Sequence, residues 1–222
     1  MVEDLNTYLN SYKEEFPYND ENQIMLSEYA SRIVERLATI EPPISIIGLG
    51  IGHRTVLTSL LERLGKNLRQ YILVEGSSEI IAQFKQENHV PENLKLIEGY
   101  FETFEPAEPV DAIEMGFVLE HVDDPDEIVR KFKTFLKPGG SLFMAVPNAR
   151  SLNRLIGYHG GLLKDIYALS EYDYQLGHKR YFDMDSFTNL ILRHDVEIVR
   201  TEGLYMKPLT SRQMLDAGLP DA

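Results

Sequence analysis

The 222-residue chain contains no cysteine, which excludes a disulfide framework, a thiolate metal site and a cysteine nucleophile together. No stretch approaches the roughly 18 uninterrupted apolar residues of a membrane span, and the opening MVEDLNTYLN is polar and acidic where a secretory leader is apolar. Basic residues are scarce: Lys and Arg number 22 against 35 Asp and Glu, a formal charge of −13. A phosphate backbone is bound by clustered cations, so a nucleic-acid partner is disfavoured. Internal repeats, low-complexity tracts and long Ser/Gly/Pro linkers are also missing, which leaves a single domain over 1–222. The expectation is a cytoplasmic protein, monomer or homodimer, with no membrane or nucleic-acid partner. Its 43% apolar content suffices for a core, and its chemistry must come from histidines, carboxylates, hydroxyls or a bound cofactor.

What is present is an alternation of strands and helices. Leu26, Tyr29, Ala30, Ile33, Val34 and Leu37 place one apolar stripe on a helix over 20–39. The runs ISIIG (44–48) and YILVE (71–75) are short, continuous and β-branched, as in strands buried on both faces of a parallel sheet. Between them Leu57, Leu60, Leu61 and Leu64 keep helical spacing up to Gly65. A helix around Ile80, Ile81 and Phe84 follows, then strands LKLIE (94–98) and VDAIEM (110–115), a helix from DDPDEIVRKF, and a strand SLFMAV (141–146). In that helix Asp124 is the N-cap and Pro125 the first residue. Asp126 and Glu127 sit at the positive end of the dipole, Lys131, Lys133 and Lys137 lie toward the other end, and Gly139-Gly140 is the stop. A last helix (Phe187, Leu190, Ile191) and a strand VEIVRT (196–201) close the pattern. It predicts an α/β fold, a doubly wound, mostly parallel sheet with helices on both faces. Residues 148–182 are too long for a plain connection and are expected to form a lid inserted after the fifth strand. Residues 1–40 are expected to form a helical cover, with Tyr8, Tyr12, Phe16 and Tyr18 either lying over a bound cofactor or packing for stability alone.

The turn GLGIG lies directly between the first strand and the first following helix, where backbone can approach a ligand and helix amides point outward. A dinucleotide fingerprint requires G-x-G-x-x-G/A, and the sixth position here is His53, too bulky for close helix–strand packing. An NAD-dependent oxidoreductase is thereby disfavoured, and a nucleoside without a pyrophosphate suits the turn. Glu75, at the end of the second strand, is placed to accept both hydroxyls of a ribose. GLGIG, LVEGS, VLEHVDDP (118–125) and LKPGGSLFMAVPNA (136–149), in this order and each at a strand end, resemble a class I S-adenosylmethionine-dependent methyltransferase from about residue 20 to about 208. The stretch PNARSLNR…LSEYDYQLGHKRYF looks like its bacterial small-molecule branch. The resemblance implies a Rossmann-like fold and S-adenosylmethionine as cofactor. It places Gly48, Gly50 and Gly52 at the methionine moiety, Glu75 with Gly76 and Ser77 at the ribose, Tyr100 and Phe101 near the adenine, and Gly116 and Phe117 beyond the fourth strand. Three departures stand out: Ile46 replaces the usual acid two positions before the first glycine, Tyr100 replaces a frequent Asp, and TSRQMLDAGLPDA has no strand pattern where a seventh strand is usual. The last implies a shortened chain or an atypical sheet edge.

Methyl transfer from a sulfonium is an in-line displacement in which positioning can supply roughly 7–11 kcal/mol; a hydroxyl acceptor also needs a base, worth typically about 10²–10⁴-fold. His121, in the LEHV turn, and His178, in GHKRYF, are the base candidates, with Tyr181 beside the latter; the alternative for His121 is an ordering role at the helix start. Glu120-His121 also resembles the end of an E-x-x-E-H metal arrangement of some relatives, which could take His178 as a further ligand; Phe117 stands at the first Glu of that pattern, so no metal is expected. Residues 148–182 carry five basic against three acidic residues, a positive island in an acidic chain. With Arg150, Arg154, Lys179, Arg180, Tyr158 and Tyr174 they are expected to bind a small-molecule acceptor bearing an anionic group; the alternative is that the aromatics pack the segment down and its cations pair internally. The histidine candidates favour oxygen as the methyl acceptor. A nitrogen of an amino sugar or similar amine, and a non-catalytic cofactor-binding regulatory protein, are the alternatives.

Overall fold

The computed structural model describes residues 19–52 and 54–218. Five strands, β1 (Ile44–Leu49), β2 (Leu68–Glu75), β3 (Leu94–Glu98), β4 (Val110–Gly116) and β5 (Leu136–Ala145), form one sheet in the order β3-β2-β1-β4-β5. Every pairing is parallel. The order reverses between β1 and β4, and ligands of open α/β sheets bind in the crevice at the carboxyl ends of such a pair. Burial follows from the composition of the runs: every residue of β1 is buried, as sheet residues must be when helices cover both faces.

Helices α1 (Asn19–Leu37), α2 (Thr55–Leu64) and α3 (Ser78–Glu87) bury Leu26, Ile33, Leu60 and Phe84 against one face. On the other face α4 (Pro125–Lys133) and α7 (Met184–Leu192) bury Ile128, Val129, Phe132 and Leu190. The stripe expected over 20–39 is α1, and its residues Ala30, Ile33 and Leu37 have no exposed surface. The Asp124 side chain accepts from the Glu127 amide at 3.1 Å, satisfying one of the helix's unpaired donors.

Two segments differ from the pattern expected of the sequence. Gly139-Gly140 do not stop α4, which ends at Lys133; they lie inside β5, with Gly139 at φ +77°. There β5 advances from Leu136 to Ser141 while β4 advances only from Val110 to Ala112. This bulge needs the left-handed conformation that glycine adopts at little cost, and Lys137, carried on it, pairs with Asp111 at 2.8 Å. The second correction concerns 196–201, which is not a strand. Val196 and Ile198 are half-buried and alternate with exposed Glu197 and Val199, yet no ladder forms. Ion pairs hold this stretch against α1 instead, Arg200 with Glu35 at 3.2 Å and Glu202 with Arg32 at 3.1 Å. Among the described residues the sheet ends at β5.

Residues 148–182 contain α5 (Leu152–His159) and α6 (Glu171–Gln175). Asn148 and Phe182 meet in a bridge, and the Ala149 amide donates to the Phe182 carbonyl at 2.6 Å. The segment therefore leaves and rejoins the sheet at one point beside the carboxyl end of β5. The last helix, α8 (Ser211–Asp216), occupies the stretch without strand pattern. Tyr8, Tyr12, Phe16, Tyr18 and His53 lie outside the described residues.

Candidate active site

The turn after β1 is open where it matters for a ligand. Gly50 and Gly52 have φ of +77° and +48°, and a Cβ built on either meets nothing within 4 Å. Gly48 differs: its Cβ position lies 2.4 Å from the Tyr71 hydroxyl, so its missing side chain is a packing requirement of the sheet. Glu75 ties the turn to β2. Its Oε2 accepts from the Ile51 amide and its Oε1 from the Ser77 amide, both at 2.9 Å. Burial raises the Glu75 pKa, opposed by the amides of Ile51, Ser77 and Gly76. Each carboxylate oxygen has a further lone pair to accept from a hydroxyl. Ser77 caps α3, its Oγ accepting from the Ile80 amide at 3.2 Å. An open glycine turn with a buried carboxylate at the next strand end fits the nucleoside and amino-acid parts of S-adenosylmethionine.

Tyr100 is exposed and Phe101 packs on the α4 side of the core. Gly116 sits against Tyr29, whose ring would lie 2.4 Å from an added Cβ. Phe117 has φ +58°, rare for a bulky side chain and worth about 1–2 kcal/mol of strain; its amide donates to the Ala145 carbonyl at 2.7 Å and its ring lies edge-on to Tyr29.

Beyond β4 the structure gathers the three catalytic candidates. The rings of His121 and His178 are 4.8 Å apart, edge to face, and Tyr181 stands 6.5 Å from His178. Asp173 organises them. Its Oδ1 faces His178 Nδ1 at 3.2 Å and accepts from the Tyr181 hydroxyl at 2.8 Å; its Oδ2 accepts from the Ser170 amide at 2.7 Å and from Ser170 Oγ at 2.6 Å. Burial opposes ionisation of Asp173, but these donors together hold its pKa well below the usual carboxylate range. Burial, reinforced by Asp173, pushes the Tyr181 phenol well above its ordinary value, which disqualifies it as a base near neutrality. Asp173 was not foreseen, although S-x-x-D in SEYD is a capping-box spacing, and the box is present at α6.

Glu120 completes the cluster. It is 1% exposed, Oε1 lies 4.0 Å from His121 Nε2, and Oε2 has no hydrogen-bond partner among the described residues. Burial pushes its carboxyl up to about 8. Glu120, His121 and His178 offer ligand atoms within 4.8 Å of one another, so the grouping weighed and set aside in the sequence is brought together in a form that suits a divalent cation.

The cations expected to receive an anionic acceptor are placed differently. Arg180 donates to the carbonyls of Leu119, Val122 and Asp123 and so holds the turn after β4. Arg154 donates to the carbonyls of Ile166 and Ala168 and covers the Tyr181 ring at 4.0 Å. Lys179 pairs with Asp123 at 2.7 Å. A guanidinium aimed at carbonyls has few donors left for a ligand; Arg154 braces residues 148–182 internally while Arg180 and Lys179 fasten them to the turn after β4, and the expectation of an anion-binding lid gains no support from them. Arg150, Tyr158 and Tyr174 are exposed.

Residues 21–201 match the family model of a methyltransferase domain. The mitochondrial ubiquinone biosynthesis O-methyltransferase of Dictyostelium discoideum is 28% identical over 74% of this chain and 52% of its own length. The ubiquinone biosynthesis O-methyltransferase of Cupriavidus pinatubonensis is 25% identical over 74% and 65%. The chain thus spans between half and two thirds of these relatives. Among solved structures, the plantazolicin methyltransferase BpumL in complex with SAH superposes with a TM-score of 0.61 at 15% identity, covering 86% of this chain and 68% of its own. An S-adenosylmethionine-dependent methyltransferase from Mesorhizobium loti gives 0.55 at 13%, covering 75% and 80%. No helix among the described residues is long and apolar enough to cross a membrane. With the family match over most of its length and the glycine turn and Glu75 at the switch point of a parallel sheet, this chain belongs to the methyltransferase-domain family of class I S-adenosylmethionine-dependent enzymes.

Proposed function

We propose that this protein transfers a methyl group from S-adenosylmethionine to a hydroxyl oxygen of a small-molecule acceptor, with His178 removing the hydroxyl proton. The observation that carries the reading is the Asp173–His178 pair at the carboxyl end of the sheet. A carboxylate facing Nδ1 keeps the proton on that nitrogen, and Nε2 is then the atom that accepts. The O-methyltransferase relatives support oxygen over nitrogen.

When bound, the cofactor supplies the methyl on a sulfonium sulfur. The chain's own contribution is to hold that cofactor on the open glycine turn, fix its ribose at Glu75, and orient the acceptor under residues 148–182. Holding donor and acceptor in line supplies roughly 7–11 kcal/mol of the barrier. Tyr181 and Arg154 fix the Asp173 side of the dyad, and His121, edge-on to His178, limits its ring orientation.

A second reading, favoured by the Glu120, His121 and His178 grouping, has a divalent cation bind there and lower the acceptor hydroxyl's pKa. The test is a panel of catechols, phenols and amines incubated with S-adenosylmethionine, with S-adenosylhomocysteine formation as readout and calorimetric binding of S-adenosylhomocysteine as control. Turnover of hydroxyl acceptors that survives EDTA and is lost in His178→Ala supports the base reading, and loss to EDTA with recovery on adding a divalent cation supports the second. Turnover of amines alone refutes the oxygen assignment. Cofactor binding without any turnover favours a regulatory role.

A further inference from the structure

Helix α5 carries the apolar residues Leu152, Leu155, Ile156 and Tyr158, yet none of its residues is buried. Leu152 and Ile156, one turn apart on the same face, are 38% and 50% exposed, and Leu162 just beyond the helix is 78% exposed. No residue from 150 to 181 belongs to either of the two apolar clusters that make up the core of the described residues. A helix of eight residues gains most of its stability from burying an apolar face, and this face of α5 stays in solvent.

A partner of matching chemistry enters the structure beside it. The Asn153 amide, in the first turn of α5, donates to the Lys207 carbonyl at 3.1 Å, and the Lys207 ammonium pairs with Glu21. Glu21 lies in the first turn of α1, so residues 1–18, which are outside the described residues, join the chain close to α5. In that stretch Val2, Leu5, Leu9, Tyr12 and Phe16 follow one another at intervals of 3, 4, 3 and 4, the spacing of one apolar stripe on a helix. Pro17 ends the pattern before α1 begins at Asn19. The charges are complementary as well: the stretch holds Glu3, Asp4, Glu14 and Glu15 against Lys13 alone, whereas α5 is flanked by exposed Arg150 and Lys164. A second copy docked on this face would set those cations against their own kind, which is unfavourable.

We propose that residues 2–16 form an amphipathic helix whose apolar stripe packs on the face of α5 formed by Leu152 and Ile156. Helix α5 belongs to the segment that carries Asp173 and His178, and its Arg154 covers the Tyr181 ring, so the docked helix steadies the acceptor side of the candidate site. The contact itself is independent of what the site catalyses.

Hydrogen exchange of the full chain, read by mass spectrometry, tests the contact from both sides, because coupling is reciprocal. Ile156→Asp places a charge on the exposed face of α5 and should speed exchange within residues 2–16 by about tenfold or more, equivalent to about 1.4 kcal/mol. The double variant Leu5→Asp, Leu9→Asp should speed exchange within α5 by a similar factor. Leu192→Asp, at an exposed position that ends α7, should change neither. Exchange in 2–16 that is as fast in the wild type as in an unfolded chain, or that Ile156→Asp leaves untouched, overturns the proposal, and so does equal acceleration by Leu192→Asp. With exchange in 2–16 unchanged, a dimer that dissociates in Ile156→Asp gives the face to a second copy. Binding of the wild type to phosphatidylglycerol vesicles that this substitution abolishes gives it to a lipid surface. Either result overturns the proposal.

Discussion

Replacing Asp173 by asparagine separates the chemistry of the histidine cluster from its architecture. Four donors surround the carboxylate, two from Ser170 on Oδ2 and one each from Tyr181 and His178 on Oδ1. The amide keeps the shape. Its oxygen still accepts both Ser170 bonds, while its NH₂ faces Tyr181 and His178, each of which can turn from donor to acceptor. Two charge-assisted bonds become neutral ones at about 1 kcal/mol each, so stability should fall by about 2 kcal/mol. For His178 the reversal is severe, because Nδ1 must then accept and the proton moves to Nε2, the atom proposed to take the hydroxyl proton. The methyl-transfer rate should fall by about 10²–10⁴-fold. Asp173→Ala instead strands several buried donors and should cost roughly 3–5 kcal/mol. Urea denaturation measures the stability changes, single-turnover formation of S-adenosylhomocysteine the rate, and nitrogen NMR shifts of His178 the tautomer. An asparagine variant that folds, carries the reversed tautomer and keeps the wild-type rate refutes the assignment of His178 as base.

Glu120 is held near pKa 8 by burial against about 4.3 in an unfolded chain. Its folded value is the higher, so its contribution to stability is complete below about pH 4 and is lost as the pH climbs to 8. Glu120→Gln removes that loss, and with a chelator present its stability relative to wild type should rise by roughly 3 kcal/mol from about pH 5 to about pH 8 in urea titrations; a flat difference contradicts the burial argument. Gly48→Ala forces a Cβ into the Tyr71 ring and should cost roughly 3 kcal/mol or more, visible as a lowered Tm. Gly50→Ala meets open space and should cost only about 1–2 kcal/mol through its positive φ, while weakening S-adenosylhomocysteine in calorimetry. Arg180→Ala releases three carbonyls of the turn after β4 and should lower stability by roughly 2–4 kcal/mol; a change in acceptor KM without loss of stability would return this residue to the substrate.

The sequence by itself determined the sheet and the glycine turn at its switch point. Continuous β-branched runs such as ISIIG can be satisfied only by burial on both faces, and a glycine turn after the first of them fixes where a ligand meets the backbone; these signals are local and survive without knowledge of the partner strands. The same local logic misplaced Gly139-Gly140, because a glycine pair reads alike as a helix stop and as a bulge, and the register of β5 against β4 decides between them. It also makes a strand of 196–201, whose alternation is strand-like but whose Arg200, with the adjoining Glu202, is bound by ion pairs to α1, far away in sequence. The histidine cluster was only half legible. His121 and His178 stand 57 residues apart in the chain, and only the return of residues 148–182 to the end of β5 brings their rings to 4.8 Å and gives His178 its aspartate. Arg180 shows the limit most directly. A side chain's charge is written in the sequence, but whether it faces a ligand or three carbonyls depends on which distant backbone lies beside it, and tertiary packing alone settles that.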